Sequence, residues 1–75
     1  MTGCLIEWFD SVTTRGWHEP VKDGPEKIVS LALIAHEDEN CVVIATSVGT
    51  TGHYADQMAI PRAAIKRMQR FEVVT

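Results

Sequence analysis

The sequence is first informative through what it lacks. It contains no run of 18 apolar residues, and this excludes a helix that spans a membrane. Its first residues carry neither a basic segment nor an apolar stretch long enough for a secretory signal. We therefore expect a cytoplasmic protein with no membrane partner.

Cysteine is scarce as well, with only Cys4 and Cys41 present. Without a secretory signal, two cysteines flanked by apolar residues are expected to be reduced rather than joined by a disulfide. The three histidines lie far apart, and neither a C-x-x-C nor an H-x-x-x-H spacing occurs, so we expect no metal site. No serine stands in a nucleophile-elbow context, so we expect no catalytic residues, no cofactor and no enzymatic activity.

The chain has fewer basic than acidic residues, seven against ten, which gives a net charge of −3. Duplex DNA is held mainly by neutralisation of its phosphates, which makes this chain a poor general binder of duplex nucleic acid. The distribution is uneven. Residues 1–61 carry nine acidic and three basic side chains, whereas residues 62–75 carry four basic ones and a single Glu. Such a basic tail can bind a phosphorylated ligand or pair with the acidic surface of another copy.

A length of 75 residues predicts one small domain over residues 1–75. A chain of this size buries only about 60% of the surface that its unfolded form exposes, so its core is marginal. Because 45% of the residues are apolar, the chain has the composition of a globular protein. Self-association would relieve the shortage of core, and we expect a homo-oligomer that assembles through apolar strand surface.

The first half of the chain predicts a strand, a long connection and a hairpin. Cys4–Phe9 alternates, with Cys4, Ile6 and Trp8 on one face and Leu5, Glu7 and Phe9 on the other. The long connection Asp10–Lys27 follows, with a possible short turn around Pro20. Two apolar runs, Ile28–His36 and Cys41–Thr46, flank an acidic turn at residues 37–40, which predicts a β-hairpin whose strands are covered on both faces. The first of these runs also fits a helix, but its β-branched residues and the second run favour a strand.

The second half predicts a glycine-rich turn at Val48–His53 and then a strand over Tyr54–Ile60, which Pro61 ends because it lacks an N–H. The segment after Pro61 is ambiguous. Its apolar residues recur at spacings of three and four, as in an amphipathic helix, whereas its last residues suit a strand. The interpretation adopted is one helical turn over Pro61–Ile65 and a closing strand from Lys66 to Val74.

This order of elements, with its central hairpin, its Pro61–Ile65 turn and its short last strand, resembles that of small SH3-like and Sm-like barrels. The resemblance implies an all-β fold in which a bent five-stranded sheet closes on itself. Many unrelated functions use such a barrel, so the likeness concerns the fold.

A second resemblance is to small tailed-phage and prophage proteins. It is carried by Trp8-Phe9-Asp10-Ser11, Gly16-Trp17, the acidic hairpin, Tyr54 and the Ile60–Ile65 segment. This likeness implies an accessory protein in the cytoplasm of an infected bacterium. By analogy with oligomeric phage proteins that sequester cyclic nucleotide signals of host immunity, it implies a counter-defence sponge.

The candidate ligand-binding residues are of three kinds. Aromatic rings at Trp17 and Tyr54 can stack on bases. Arginine and lysine bind phosphate, and Arg62, with Lys66 and Arg70 beyond it, is the strongest candidate because it lies at a fixed turn. Hydroxyls and N–H groups around Thr50 and Thr51 can bind an anion, although the turn is no P-loop.

Each of these residues also has a structural interpretation. Trp8 is expected in the core, and Trp17 fits either a ligand site or packing over one end of the barrel. The basic tail fits a solvated strand, or salt bridges to Glu37–Glu39 of another copy. The competing hypotheses are therefore a protein-interaction or structural homo-oligomeric module and, against the acidic balance, an Sm-like RNA binder.

Overall fold

The computed structural model describes residues 1–11, 15–22 and 24–74 and has an all-β architecture, as predicted. Within these ranges, seven strands and one turn of 3₁₀ helix, η1, make up the regular structure. In chain order they are β1 Thr2–Asp10, β2 Glu26–Glu37, β3 Cys41–Ala45, β4 Ser47–Val48, β5 Tyr54–Ala55, β6 Met58–Pro61, η1 Arg62–Ala64 and β7 Ile65–Glu72.

Five of these strands form one antiparallel sheet in the order β6-β3-β2-β1-β7, and β4 and β5 form a separate two-stranded sheet. The five-stranded sheet agrees with the prediction. In the hydrogen-bonded ladders of the described residues, β6 and β7 are the two edges of the sheet. Closure of the sheet into an SH3-like or Sm-like barrel therefore stays a prediction.

Strand β1 lies in the middle of the sheet's longest ladders, between β2 and β7. Its residues alternate as predicted, so that Cys4, Ile6 and Trp8 are buried on one side, called the inner face below. The Trp8 Nε1–H donates to Ser30 Oγ at 3.1 Å, which satisfies the indole in the core. The prediction that Trp8 is a core residue is confirmed. Both cysteines are unpaired, as predicted; Cys4 is buried, which raises its pKa, whereas Cys41, also expected to be buried, is only partly so.

The β2–β3 hairpin is also confirmed, and its turn is built around one carboxylate. Asp38 Oδ1 accepts hydrogen bonds from the backbone N–H groups of Asn40 at 2.8 Å and Cys41 at 3.0 Å. These bonds, with a further one from His36, lower the pKa of Asp38 to about 2. From β3 the hairpin adds Val42 and Ile44 to the core, which also contains Ile60 of β6.

The predicted strand Tyr54–Ile60 is wrong as a single element. Its first two residues form β5 and pair with β4, whereas the strand that pairs with β3 starts only at Met58. Between them Asp56 adopts a positive φ of 54°, which turns the chain out of one sheet and into the other. Thr46 Oγ1 donates to Asp56 Oδ2 at 3.2 Å and holds this turn. Part of the turn predicted over Val48–His53 likewise belongs to a strand, since Val48 lies in β4.

The last segment follows the interpretation of one helical turn and a strand, and the helical alternative is wrong. The turn η1 lies within the predicted Pro61–Ile65, and β7 spans Ile65–Glu72 rather than Lys66–Val74. The register between β7 and β1 shifts between Glu7 and Trp8, which leaves Lys66 at a bulge. Beyond β7, the N–H of Val73 still donates to the carbonyl oxygen of Met1 at 2.8 Å.

The connection between β1 and β2 covers residues 11–25, slightly less than predicted, and residues 12–14 and 23 of it lie outside the described part. All the described residues of this connection are exposed. Gly16 and Gly24 have φ angles of 77° and 73°, values that residues other than glycine rarely adopt.

Candidate interaction surfaces

The side of β7, β1 and β2 that faces away from the core is called the outer face. In an antiparallel ladder directly opposed residues point to the same side, so the registers give its members in rows. From one end to the other these rows are Phe71-Gly3-Leu33, Gln69-Leu5-Leu31, Arg67-Glu7-Val29 and, on β1 and β2 only, Phe9-Lys27.

The outer face is rich in exposed apolar side chains. Leu31 is 73% exposed and Val29 58% exposed, and Leu5, Phe9 and Phe71 are each exposed by about two fifths. These residues lie on three neighbouring strands rather than singly. Scattered apolar residues are normal on a protein surface, whereas a contiguous group of them marks a contact surface.

The carboxylate of Glu7, at the centre of the outer face, forms ion pairs with the charged side chains beside it. Glu7 Oε2 accepts from Arg67 Nε at 2.5 Å, and Glu7 Oε1 lies 3.2 Å from Lys27 Nζ. Arg67, and after it Lys27, lower the pKa of Glu7 to about 2. A shallow hollow lies beside this group, lined by the side chains of Leu5, Glu7, Val29, Arg67 and Gln69.

A second carboxylate with two cations, the Glu37 cluster, consists of Glu37, Arg62 and Arg70. Arg70 lies on β7 and donates from both terminal nitrogens to the Glu37 carboxylate, at 2.6 Å for Nη2. Arg62 on η1 donates from Nη2 to Glu37 Oε1 at 3.0 Å and from Nε to the carbonyl oxygen of Asp38 at 2.9 Å. Arg70, and to a lesser degree Arg62, lower the pKa of Glu37 to about 2, and Glu37 raises the pKa of Arg70.

The cluster joins elements that are not neighbours in the sheet. Glu37 ends β2, whereas Arg70 belongs to β7, and β1 lies between these strands. Arg70 is paired with Cys4 and so points toward the inner face. These contacts show that the sheet is strongly bent at this end, and that the basic tail pairs with the acidic hairpin within one chain.

The predicted ligand-binding residues are thus distributed over separate places. Arg62 and Arg70 meet on Glu37, while Lys66 makes no ion pair within the residues that the structure describes. Trp17 is fully exposed in the connection that leaves β1 after Asp10. Asp10, at that end of β1, is six positions from Cys4, the residue that is paired with Arg70. This separation corresponds to about 20 Å along the strand.

The remaining candidates belong to the β4–β5 hairpin. Tyr54 is half-buried on β5, and Thr50 and Thr51 are exposed in the loop before it. Within this loop Gly49 N–H donates to the carbonyl oxygen of His53 at 2.8 Å, and Gly52 N–H donates to that of Gly49 at 3.0 Å. Two of the loop's N–H groups are therefore engaged within the loop and are not available to bind an anion.

Both edges of the sheet carry features that discourage pairing with another strand. The edge strand β6 has four residues and ends at Pro61, which has no N–H. The edge strand β7 has its bulge at Lys66, and it turns the charged side chain of Arg70 inward. Short length, proline, bulges and inward charges are the usual protections of an edge strand. A partner is therefore better accommodated by the outer face than by either edge.

The outer face was foreseen only in outline. The apolar residues on both sides of the strands indicated that both faces are covered, but no local signal in the sequence marks Leu31, Val29 or Phe71 as site residues. The signal that finds them is the pairing register, because it shows which apolar residues adjoin across strands.

Within the described ranges, no three His, Cys, Asp or Glu side chains are grouped so that they could hold a metal ion. The same part of the chain has no helix long and apolar enough to cross a membrane. No protein-family model, curated protein or solved structure matches this chain.

Proposed function

We propose that this protein is a non-enzymatic interaction module that associates with a second copy of itself through the outer face. The observation that carries the proposal is the group of exposed apolar side chains on three neighbouring strands, with Leu31 and Val29 the most exposed of them. Burial of such side chains between two copies stabilises the dimer in proportion to the apolar area removed from water.

A second copy fits this surface for two reasons. Glu7 is paired with both Arg67 and Lys27, so each charged side chain at the centre of the outer face already has a partner within the chain. In addition, the exposed residues of the surface are mainly aliphatic, and two sheet faces pack against each other at a separation of roughly 10 Å.

The size of the face limits the strength of the association. Three strands at about 4.8 Å and seven residues at about 3.3 Å give a projected area of roughly 300 Å² for the outer face. A stable dimer of standard size buries about 800 Å² on each partner, so this contact is well below that size. We expect a weak, transient dimer rather than an obligate one.

The test is the substitution Leu31→Lys. The Leu31 side chain is the most exposed of the outer face, so its replacement should change the stability of the single chain little. The matched control is Val21→Lys, which places the same charge at an exposed apolar residue of the β1–β2 connection. Sedimentation velocity over a concentration series should show a dimer for the wild type and for Val21→Lys, and a monomer for Leu31→Lys. A monomeric wild type at millimolar concentration, or equal dimerisation of both variants, would contradict the proposal.

A second candidate function, sequestration of a phosphorylated ligand such as a cyclic nucleotide in a phage-infected cell, is supported by Trp17. A fully exposed indole in a loop is available to stack on a base, and stacking of this kind contributes about 1–3 kcal/mol per base. In this proposal phosphate would replace Glu37 as the partner of Arg62 and Arg70. Because Trp17 and these arginines lie at separate places in one chain, the ligand would bind between copies, with Lys66, Tyr54, Thr50 and Thr51 as further contacts.

Native mass spectrometry with a panel of cyclic di- and trinucleotides tests this second function. Ligand mass at a fixed ratio to protein, lost in Trp17→Ala and kept in Val21→Ala, would support it. Absence of bound ligand throughout the panel would overturn it and leave the interaction module, whereas equal binding by both variants would exclude Trp17 as a contact.

A further inference from the structure

One side of strand β2 has no neighbouring strand along its first half. β2 pairs with β1 from Glu26 to Leu33, but it pairs with β3 only from Leu33 onward. The stretch Glu26–Ala32, called the open segment below, therefore has a neighbouring strand on one side only. Outside the β1–β2 ladder, no hydrogen bond between described residues reaches the backbone of this segment. Its second side thus presents a row of backbone N–H and C=O groups to a further strand.

The open segment lacks the features that protect the edge strands β6 and β7. It contains neither proline nor glycine, and its ladder with β1 runs without a shift of register. Beyond Glu26, its residues on the inner side are uncharged. Ile28 and Val29 are β-branched, which favours an extended backbone. An unprotected edge of this kind is a template for strand addition, so the partner that fits it is an extended chain.

The open segment leads to a narrow end of the sheet. The molecule measures 49 × 23 × 20 Å, and its radius of gyration is 14.8 Å, whereas a compact chain of this length has about 11 Å. β7 pairs with β1 only as far as Trp8, so Phe9-Asp10 and Glu26-Lys27 form an end of two strands. Two strands alone are marginally stable in water, and a further strand beside β2 would stabilise this end.

We infer that the open segment pairs antiparallel with the same segment of a second copy, about a two-fold axis at Val29. An axis perpendicular to the sheet keeps the outer side chains of both copies on one side. Val29 is the middle residue of the open segment, so this axis gives every residue of the segment a partner. An axis nearer Leu33 would place the second copy where β3 already pairs, and one nearer Glu26 would leave residues unpaired.

The side-chain pairs that this axis creates contain no two charges of like sign. They are Val29 with Val29, Ile28 with Ser30, Lys27 with Leu31, and Glu26 with Ala32 of the other copy. Two β-branched residues in direct opposition, as at the axis, stabilise a sheet. The aliphatic stem of Lys27 can lie along Leu31 while its ammonium group stays 3.2 Å from Glu7.

The pairing closes after two copies, because each open segment is used by the other and the edges β6 and β7 are protected. The open segment precedes Glu37, at which the sheet is bent, so the pairing requires no change in the bend. The contact is independent of the outer-face association, since it joins two sheets edge to edge instead of stacking them. Leu31→Lys weakens both contacts, because here it opposes Lys27 of the other copy.

Disulfide formation tests the edge pairing. Val29→Cys is introduced in a Cys41→Ser background, since Cys41 is only partly buried whereas Cys4 is buried. The axis brings the two Val29 Cα atoms to about 5 Å, a distance that a disulfide bridges. Leu31→Cys is the matched control: it lies on the same side of β2 and is more exposed, but two copies of it lie about 13 Å apart along the strands. Sheets stacked through their outer faces lie about 10 Å apart, which is also too far for a disulfide.

With oxidised glutathione, we expect Val29→Cys to form a disulfide-linked dimer about tenfold faster than Leu31→Cys, because only the first pair lies within reach. In a mixed sample, Lys27→Cys and Leu31→Cys should link to each other faster than either links to itself. Equal rates for Val29→Cys and Leu31→Cys, or a faster reaction of Leu31→Cys, would overturn the edge pairing and leave the outer-face association standing. A wild type that stays monomeric at millimolar concentration would overturn both contacts.

Discussion

Both faces of strand β1 carry apolar residues, but the two faces differ in what covers them. On the inner face Cys4, Ile6 and Trp8 are buried by the bent sheet itself. On the outer face Leu5 and Phe9, which alternate with them in the same strand, remain well exposed. A strand that is apolar on both sides is typical of a sheet covered on both sides, and this chain covers one of them.

The same contrast holds for the two carboxylates that each bind two cations. Glu7 lies on the outer face and joins Lys27 and Arg67, which belong to the strands directly beside β1. Glu37 joins Arg62 and Arg70, which come from elements that are not next to β2 in the sheet. The first carboxylate therefore links neighbouring strands on the outer face, whereas the second holds the bend of the fold.

The largest effect should come from a cavity in the inner face. Ile6 is completely buried, and Ile6→Ala removes its side chain from the centre of the core. Substitutions of this kind cost about 2–5 kcal/mol, through lost burial and the cavity left behind. In a chain with so small a core we expect a large fall in the free energy of unfolding, measured by urea denaturation with tryptophan fluorescence.

The neighbouring substitution Leu5→Ala is the matched control, since it shortens a side chain one position away on the outer face. We expect it to change the free energy of unfolding by less than about 1 kcal/mol when measured below the concentration at which dimers form. Similar losses for both variants would show that the outer face also belongs to the core of the single chain, and the contrast between the faces would fail.

An intermediate effect is expected from Glu37→Gln, which keeps the shape of the side chain and removes its charge. Ion pairs of partly exposed residues contribute up to about 1 kcal/mol, and Glu37 has two of them. The pKa of Glu37 is lowered from 4.5 to about 2 in the folded state. A carboxylate with a depressed pKa stabilises the fold above its unfolded pKa, and this contribution is lost as the pH falls from about 4.5 toward 2.

Urea denaturation at pH 7 and pH 2.5 measures this dependence. The difference in stability between the wild type and Glu37→Gln should be largest at pH 7 and should shrink at pH 2.5. Glu7→Gln is the control: it removes the other paired carboxylate, whose pKa is equally lowered, but it joins only adjacent strands. A smaller loss at pH 7 for Glu37→Gln than for Glu7→Gln would contradict the view that the Glu37 cluster holds the bend.

Several features of the fold could be predicted because local signals determine them. The alternation of β1 gave the buried residues, and the acidic turn between two apolar runs gave the β2–β3 hairpin. Pro61 as the first residue of a segment with apolar spacings of three and four indicated the turn η1. The break at Asp56 could not be predicted, since the alternation from Tyr54 to Ile60 is the same whether one strand or two carry it.

The surfaces were harder to predict for a related reason. The sequence shows that the tail is basic and that the hairpin is acidic, but not that Arg70 reaches Glu37 across β1 within one chain. Likewise, Leu31 lies inside an apolar run in which its neighbours differ in burial. Which of these residues points outward depends on the register between strands, a long-range property that no local pattern contains.

One substitution should have the smallest effect on the stability of the single chain and the largest effect on its association. Leu31→Lys replaces the most exposed apolar side chain of β2 with a charged one, and its aliphatic stem can still lie along the sheet. Below the concentration at which dimers form, the free energy of unfolding should change by no more than about 0.5 kcal/mol.

At higher protein concentration the wild type should gain thermal stability, because only the folded chain dimerises, whereas Leu31→Lys should not. Thermal unfolding followed by fluorescence over a hundredfold concentration range separates the two contributions. A concentration-independent midpoint for the wild type, or a marked loss of stability for the dilute variant, would show that Leu31 serves the single chain rather than its contact with another.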